Sequence, residues 1–170
     1  SSDVCSSDLW ALDPGLAEIV LLSFKVSFLA VGCAVVIGMP LGAALVVFRF
    51  PGQRTLTIAI NAMMGLPPVV VGLIVYLLLS RAGPLGVLGL LFTPTAMVIA
   101  QTILVAPIIA ALTRQLTFDL WTEYQEQLRS LGTGGLGTVK TLLWDGRFSL
   151  LTVVLAGFGR ASAEVGAVMI

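Results

Sequence analysis

Arg160 and Glu164 are the residues of this sequence best placed to do chemistry in an apolar setting. They lie four residues apart in a long hydrophobic stretch, so on a helix their side chains share one face. An unpaired charge inside a bilayer costs at least ~2.5 kcal/mol, and pairing lowers that cost. The pair is therefore either a neutralised structural contact between packed helices or a polar element that lines a path for an ion.

Catalytic and metal-binding patterns are absent from the rest of the sequence. Histidine does not occur, which removes the commonest general base and the commonest zinc ligand. Cys5 and Cys33 form no CxxC pair. Residues 132–137, GTGGLG, match GxGxxG in form, but an amphipathic helix precedes them where a dinucleotide site needs a strand. No Walker A sequence is present, so we predict no catalytic residue, metal or cofactor in this chain.

The composition predicts that membrane helices hold these polar groups. The 170 residues are 58% hydrophobic and 11% charged, with a mean hydropathy of +1.05. Soluble domains are about a quarter charged. The net charge is zero, so there is no basic excess to neutralise nucleic acid. We predict an all-α integral membrane protein whose surroundings are the lipid bilayer.

Four apolar stretches predict about four spans. Charge-free windows cover residues 26–48, 55–80 and 82–113. Each window exceeds the about 20 residues that a helix needs to cross a bilayer. We expect the first helix to begin near Ile19, the second to run over residues 56–79 and the fourth to begin near Phe148. The third should follow a glycine-rich loop at residues 82–91.

Both ends of the sequence look unlike those of a complete membrane protein. Residues 1–12 are polar and lack the basic-then-apolar layout of a signal peptide. We interpret them as a non-native remnant and assign residues 13–170 to the transmembrane domain. Because Ile170 ends an apolar stretch, we expect a C-terminal truncation with at least one further span.

Basic residues predict the orientation. Those on one predicted side are Arg49, Arg54, Arg114, Arg129, Lys140 and Arg147. The other side has only Arg81 in its loop. Since cytoplasmic loops carry an excess of Lys and Arg, the N-terminus is expected outside and residues 115–147 in the cytoplasm.

Two features of the chain suggest more than simple helix packing. Pro67 and Pro68 are adjacent, so two backbone donors are missing at membrane depth, and Gly65 and Gly72 beside them would allow a second backbone to approach. We favour a break that lines a pathway over an ordinary kink.

The second feature is the polar segment at residues 115–147. One apolar face follows from the spacing of Leu116, Leu120, Trp121, Tyr124, Leu128 and Leu131. Thr122 and Gln125 fit a capping box, and a second short helix is expected over residues 138–143. The segment is either a loop lying on the membrane or a docking element for a soluble motor subunit.

Three motifs in order resemble the permeases of ABC importers. EQLRSLG at residues 126–132 resembles their EAAxxxG signature, with departures at Gln127 and Leu128. The family also has an Ile-x-Leu-Pro motif further along the chain. Residues 142–145 of this chain occupy that position, but their sequence, LLWD, lacks the proline. GFGRASAEVGA at 157–167 is similar to F-x-R-A-x-x-E-x-G-A of molybdate, tungstate and sulfate permeases, and residues 64–86 resemble their LPP-x-V-x-G and RxGPLG segments. Among these permeases, the residues of the motifs are most similar to those of the tungstate type.

The resemblance implies the transmembrane domain of a type I ABC importer in a bacterial or archaeal plasma membrane. Two permease copies would line one path, two ATPase subunits would bind ATP with Mg²⁺, and an extracytoplasmic binding protein would deliver an oxyanion. Residues implied in coupling to the ATPase are Glu126, Leu128, Leu131 and Gly132, with Gly132 permitting a sharp turn through its freedom at positive φ.

Residues assigned to the path or gate are Arg160, Glu164, Pro67 and Pro68. Arg160 would offer positive potential to a passing oxyanion, and Glu164 would keep it from binding too tightly. Tungstate is the favoured cargo, with molybdate and sulfate as alternatives. An ion-coupled secondary transporter that uses Arg160 and Glu164 stays open as a rival, as does a membrane scaffold that recruits a soluble partner through residues 115–147.

Overall fold

The structure is entirely helical over the part of the chain that it describes. The computed structural model describes residues 14–48, 50–80, 83, 84, 86, 89 and 93–168, without the side chains of 14–17, 129 and 164–168. The helices are α1 (Pro14–Val47), α2 (Gln53–Met64), α3 (Pro68–Leu79), α4 (Pro94–Ser130), α5 (Gly135–Asp145) and α6 (Arg147–Val168). Residues 1–12, Arg49, Arg81 and Ile170, used in the expectations above, lie outside this description.

The predicted all-α membrane class is confirmed, and the expected number of about four spans is the upper end of what the described helices allow. Residues 18–47 of α1 and 94–128 of α4 are long and apolar enough to cross a bilayer. Two further spans result if each of two bent helix pairs, α2 with α3 and α5 with α6, crosses as one unit. The described residues thus supply two to four candidate spans.

The largest helix–helix interface joins α1 to α4. Gly38 and Gly42 of α1 lie against the backbone of α4. A Cβ placed on Gly38 would stand 2.9 Å from Ala106 O, and one on Gly42 would stand 3.0 Å from Arg114 N. Lipid tails are as apolar as leucine, so close backbone approach at small residues replaces the hydrophobic effect as the driving force for such contacts.

The second predicted span is not one straight helix. It consists of α2 and α3, and the chain bends by 104° between their axes. Pro67 disfavours helical geometry at Leu66 and so ends α2, while Pro68 begins α3 at the position where a missing N–H costs no hydrogen bond. No atom lies within 4 Å of a Cβ built on Gly72, so the expected approach of a second backbone is not found among the described residues.

Helix α4 continues without interruption into the polar segment. The capping box predicted at Thr122 and Gln125 is therefore wrong, because no helix begins there. The hydroxyl of Thr122 instead donates to Phe118 O at 2.9 Å, as it does within a helix. The apolar face of the polar segment is a continuation of the membrane helix. The sequence suggested a new helix in this segment because polar residues begin at Arg114.

Helix α6 packs against both α1 and α4. A Cβ on Gly157 would stand 3.1 Å from Ile109 Cδ1, and the Phe24 and Phe158 rings lie 6.2 Å apart between centroids. The core common to the three helices contains Val31, Ala34, Val105, Ile109, Val153 and Ala161. Helix α6 begins at Arg147, within one residue of the expected Phe148.

Replacing Gly42 with alanine should weaken the packing of α1 against α4. The added methyl group would meet the carbonyl of Ala110, and overpacking of this kind costs about 1–3 kcal/mol. We expect a lower midpoint of thermal unfolding in detergent. Gly32→Ala is the matched control in the same helix, because nothing lies within 4 Å of its Cβ. Equal midpoints for the two variants would contradict this account of the interface.

Candidate functional site

The predicted docking segment forms a sharp elbow between α4 and α5. Gly132 has a φ of +65°, the left-handed conformation that the sequence predicted for it. Thr133 N donates to Leu128 O at 3.3 Å, and the Thr133 hydroxyl donates to the same oxygen at 2.9 Å. This arrangement, with glycine just past the helix end and a bond back to the last turn, is a Schellman motif. It ends α4 abruptly and redirects the chain.

A second set of contacts fixes the start of α5. Thr138 N donates to Gly134 O at 2.9 Å, and the hydroxyls of Thr133 and Thr138 lie 3.2 Å apart. Gly135 packs against the ring of Phe48, which follows α1. Helix α5 begins at Gly135, three residues earlier than expected. The elbow is thus tied both to α4 and to the end of α1.

The four residues assigned to coupling lie in the same elbow but differ in exposure. Glu126 and Gly132 are exposed, and Leu131 is 75% exposed. Leu128 is only 7% exposed, so its side chain faces inward while its carbonyl receives the bonds from Thr133. A partner that approached the elbow in this conformation would meet Glu126 and Leu131, not the side chain of Leu128.

Two apolar side chains of α5 extend this exposed surface and were missed from sequence. Leu136 is 79% exposed and Trp144 is 71% exposed. They lie eight residues apart, a spacing that belongs to the apolar stripe of one helix face. That spacing was the available signal. In a polar segment, exposed apolar side chains mark a surface for a protein or membrane partner.

Aromatic and cationic groups cluster where the chain bends by 77° between α5 and α6. The guanidinium carbon of Arg147 lies 5.3 Å from the centroid of Trp144 and 4.7 Å from that of Phe148. Arg147 Nη1 also donates to Trp144 O at 3.1 Å. Stacking of this kind holds the arginine close to the bend.

The residues assigned to the path belong to two other places in the fold. Pro67 and Pro68 form the junction of α2 and α3, where Pro67 is exposed and Pro68 is half-buried. Arg160 is an exposed residue of α6. Glu164 also belongs to α6, but its side chain lies outside the described atoms. The spacing on one helix agrees with the expectation, and the pairing of the two charges stays a prediction.

No protein-family model matches the chain. It is 38% identical over 162 residues to the tungstate uptake system permease protein TupB of Peptoclostridium acidaminophilum, covering 95% of this chain and 71% of that protein. A probable anion ABC transporter permease protein of Haloferax volcanii is 36% identical over 91% of this chain and 67% of its own length. The sulfate transport system permease protein CysW of Escherichia coli is 26% identical, covering 93% and 57%.

The hydroxyl of Thr133 is expected to stabilise the elbow. Thr133→Val keeps the shape of the side chain but removes the donor to Leu128 O, and one hydrogen bond contributes about 1 kcal/mol. Amide hydrogen exchange over residues 131–138 should then be about fivefold faster. Thr141→Val serves as the control, since the Thr141 hydroxyl donates to Gly137 O, inside α5 and away from the elbow. Unchanged exchange in Thr133→Val would rule out this capping role.

Proposed function

Starting from the fact that the chain belongs to the family of ABC transporter permeases of oxyanion importers, we propose that it forms part of the membrane path for tungstate. ABC permeases are transport subunits and not enzymes, and a partner ATPase hydrolyses the ATP. Tungstate is chosen as the cargo because the chain is 38% identical in sequence to a tungstate permease and 26% identical to a sulfate permease. Molybdate and sulfate are the competing cargoes.

We propose that the α4–α5 elbow docks onto the ATPase subunit. Glu126, Leu131 and Gly132 lie on its outside, and Leu128 supports it from within. Leu131 and Leu136 supply the apolar surface that a cleft in a soluble partner would bury. This role requires residues 115–147 to lie in the cytoplasm, which agrees with the excess of basic residues on that side.

Transmission of the ATPase movement would use α4 itself. The helix runs unbroken for 37 residues from Pro94 to the elbow, so a displacement at Gly132 reaches membrane depth without an intervening hinge loop. Helix α1 would follow, because Gly38 and Gly42 hold it against α4. Shear and tilt of packed helices of this kind would convert a local movement into a switch of the path between inward-facing and outward-facing states.

The path itself is proposed to involve both the proline junction and the charges of α6. Carbonyls freed near Pro67 and Pro68 must be satisfied by a neighbour or by a water-filled path. Arg160 would add positive potential for the oxyanion, and Glu164 would limit its retention. A second copy of the chain and an extracytoplasmic binding protein complete the proposed importer.

Membership of the ABC family weakens the two rival functions. A secondary transporter would need the charges of α6 to bind a coupling ion. A scaffold would need no broken span, yet the chain bends by 104° between α2 and α3. Neither rival assigns a function to both the elbow and the proline junction.

Gly132→Ala should weaken association with the ATPase. Any side chain at a φ of +65° costs about 1–2 kcal/mol in the left-handed region. We expect less ATPase to co-purify with the variant and slower uptake. Gly137→Ala is the control: Gly137 lies inside α5 with open space around it, so alanine should stabilise the helix and leave association unchanged. Normal association in Gly132→Ala would argue against docking through the elbow.

The cargo is tested by ATP hydrolysis in the reconstituted transporter. With the three anions compared at equal concentration in the presence of the binding protein, tungstate should stimulate hydrolysis most. Stronger stimulation by sulfate would reject tungstate but leave the permease role intact. The absence of stimulation by all three would count against oxyanion import.

A further inference from the structure

A pocket of about 480 Å³ lies between the end of α1, the turn that follows it and the polar half of α4. Its wall on the α1 side consists of Leu45 and Val46. The aromatic rings of Phe50, Phe118 and Trp121 line much of the rest, together with Pro51, Gln53 and one basic residue. The pocket is separate from the docking elbow, from the proline junction and from the charges of α6.

The basic residue is Arg114, the one charged group among the described residues that line this pocket. Its Nε atom is buried and has no hydrogen-bond partner among the described residues. A buried donor of a charged group without a partner is costly, and such groups normally bind an acceptor. The nearby Gln53 side chain does not supply one: its amide nitrogen donates to Leu45 O, and its amide oxygen makes no hydrogen bond to Arg114 Nε.

The position of the pocket along the helices indicates the membrane boundary. Arg114 follows Pro94, the first residue of α4, by twenty positions. At 1.5 Å per residue this is about 30 Å, the thickness of the hydrocarbon layer. Leu45 and Val46 lie at the end of the other long apolar helix. Aromatic side chains such as Trp121 are enriched at this level of the membrane.

We propose that this pocket binds the phosphate headgroup of an anionic phospholipid. The Arg114 guanidinium would donate to a phosphate oxygen, since arginine matches phosphate geometry with two parallel donors. The apolar wall formed by Leu45 and Val46 would contact the glycerol and upper acyl chains. Basic pockets between membrane helices at the headgroup level are suited to lipids of this charge.

A bound lipid would strengthen the framework of the protein at one particular place. The pocket joins α1, the 50–53 turn and the stretch of α4 that leads to the elbow. A headgroup held there would tie these elements at the end of the α1–α4 interface. Thermal stability should therefore depend on the charge of the surrounding lipid.

The test uses the full chain purified in detergent and titrated with dioleoyl phosphatidylglycerol. Native mass spectrometry counts bound lipid, and the midpoint of thermal unfolding is measured in parallel. Arg114→Gln should weaken binding by about tenfold or more, as expected for the loss of a hydrogen bond from a charged group. Arg54→Gln is the matched control, because Arg54 is exposed and does not line the pocket. Equal lipid binding by wild type and Arg114→Gln would overturn the proposal.

Two further measurements on the wild-type chain test the proposal even if the variant does not fold. Dioleoyl phosphatidylcholine, which has a phosphate but no net charge, should bind more weakly than phosphatidylglycerol. Equal binding of the two lipids would reject an anionic headgroup site. Millimolar inorganic phosphate should neither raise the unfolding midpoint nor displace the lipid. Stabilisation by phosphate alone would instead assign the pocket to a free oxyanion.

Discussion

Close contact of Gly38 and Gly42 with the backbone of α4 sets the arrangement of the other helices. In a bilayer, two apolar helices gain nothing by hiding from lipid, so they associate where small residues let their backbones meet. The α1–α4 pair is the largest interface in the described chain. Helix α6 packs on both members of the pair through Gly157 and Phe158. The end of the same pair supports α5 through Phe48.

The need to satisfy backbone groups explains where helices bend. The junction of α2 and α3 places Pro68 at the first position of a helix, so its missing N–H removes no helical hydrogen bond. At the elbow, Thr133 satisfies the carbonyl of Leu128 with both its backbone and its hydroxyl. Both breaks are therefore specified locally, and each provides a place where neighbouring segments change direction.

Polar groups near the membrane boundary connect this framework to its surroundings. Arg147 lies beside the rings of Trp144 and Phe148, and Arg114 lies in the pocket between α1 and α4. Between these two sites, the elbow presents Leu131 and Leu136 to its surroundings. The lipid-facing framework and the proposed ATPase surface are thus adjacent parts of one continuous helix–elbow–helix unit.

Properties that depend on neighbouring residues could be predicted from the sequence. Charge-free windows predicted a helical membrane protein, spacing and motifs predicted the permease family, and Gly132 predicted a left-handed turn. Tertiary structure decided what depends on distant residues: that Gly42 meets Ala110, that Leu128 faces inward while Leu131 faces outward, and that Arg114 closes a pocket with Leu45. The capping-box error at Thr122 has the same origin. Local patterns fix turns and periodicity, but helix pairing depends on which surfaces fit across tens of residues of intervening chain.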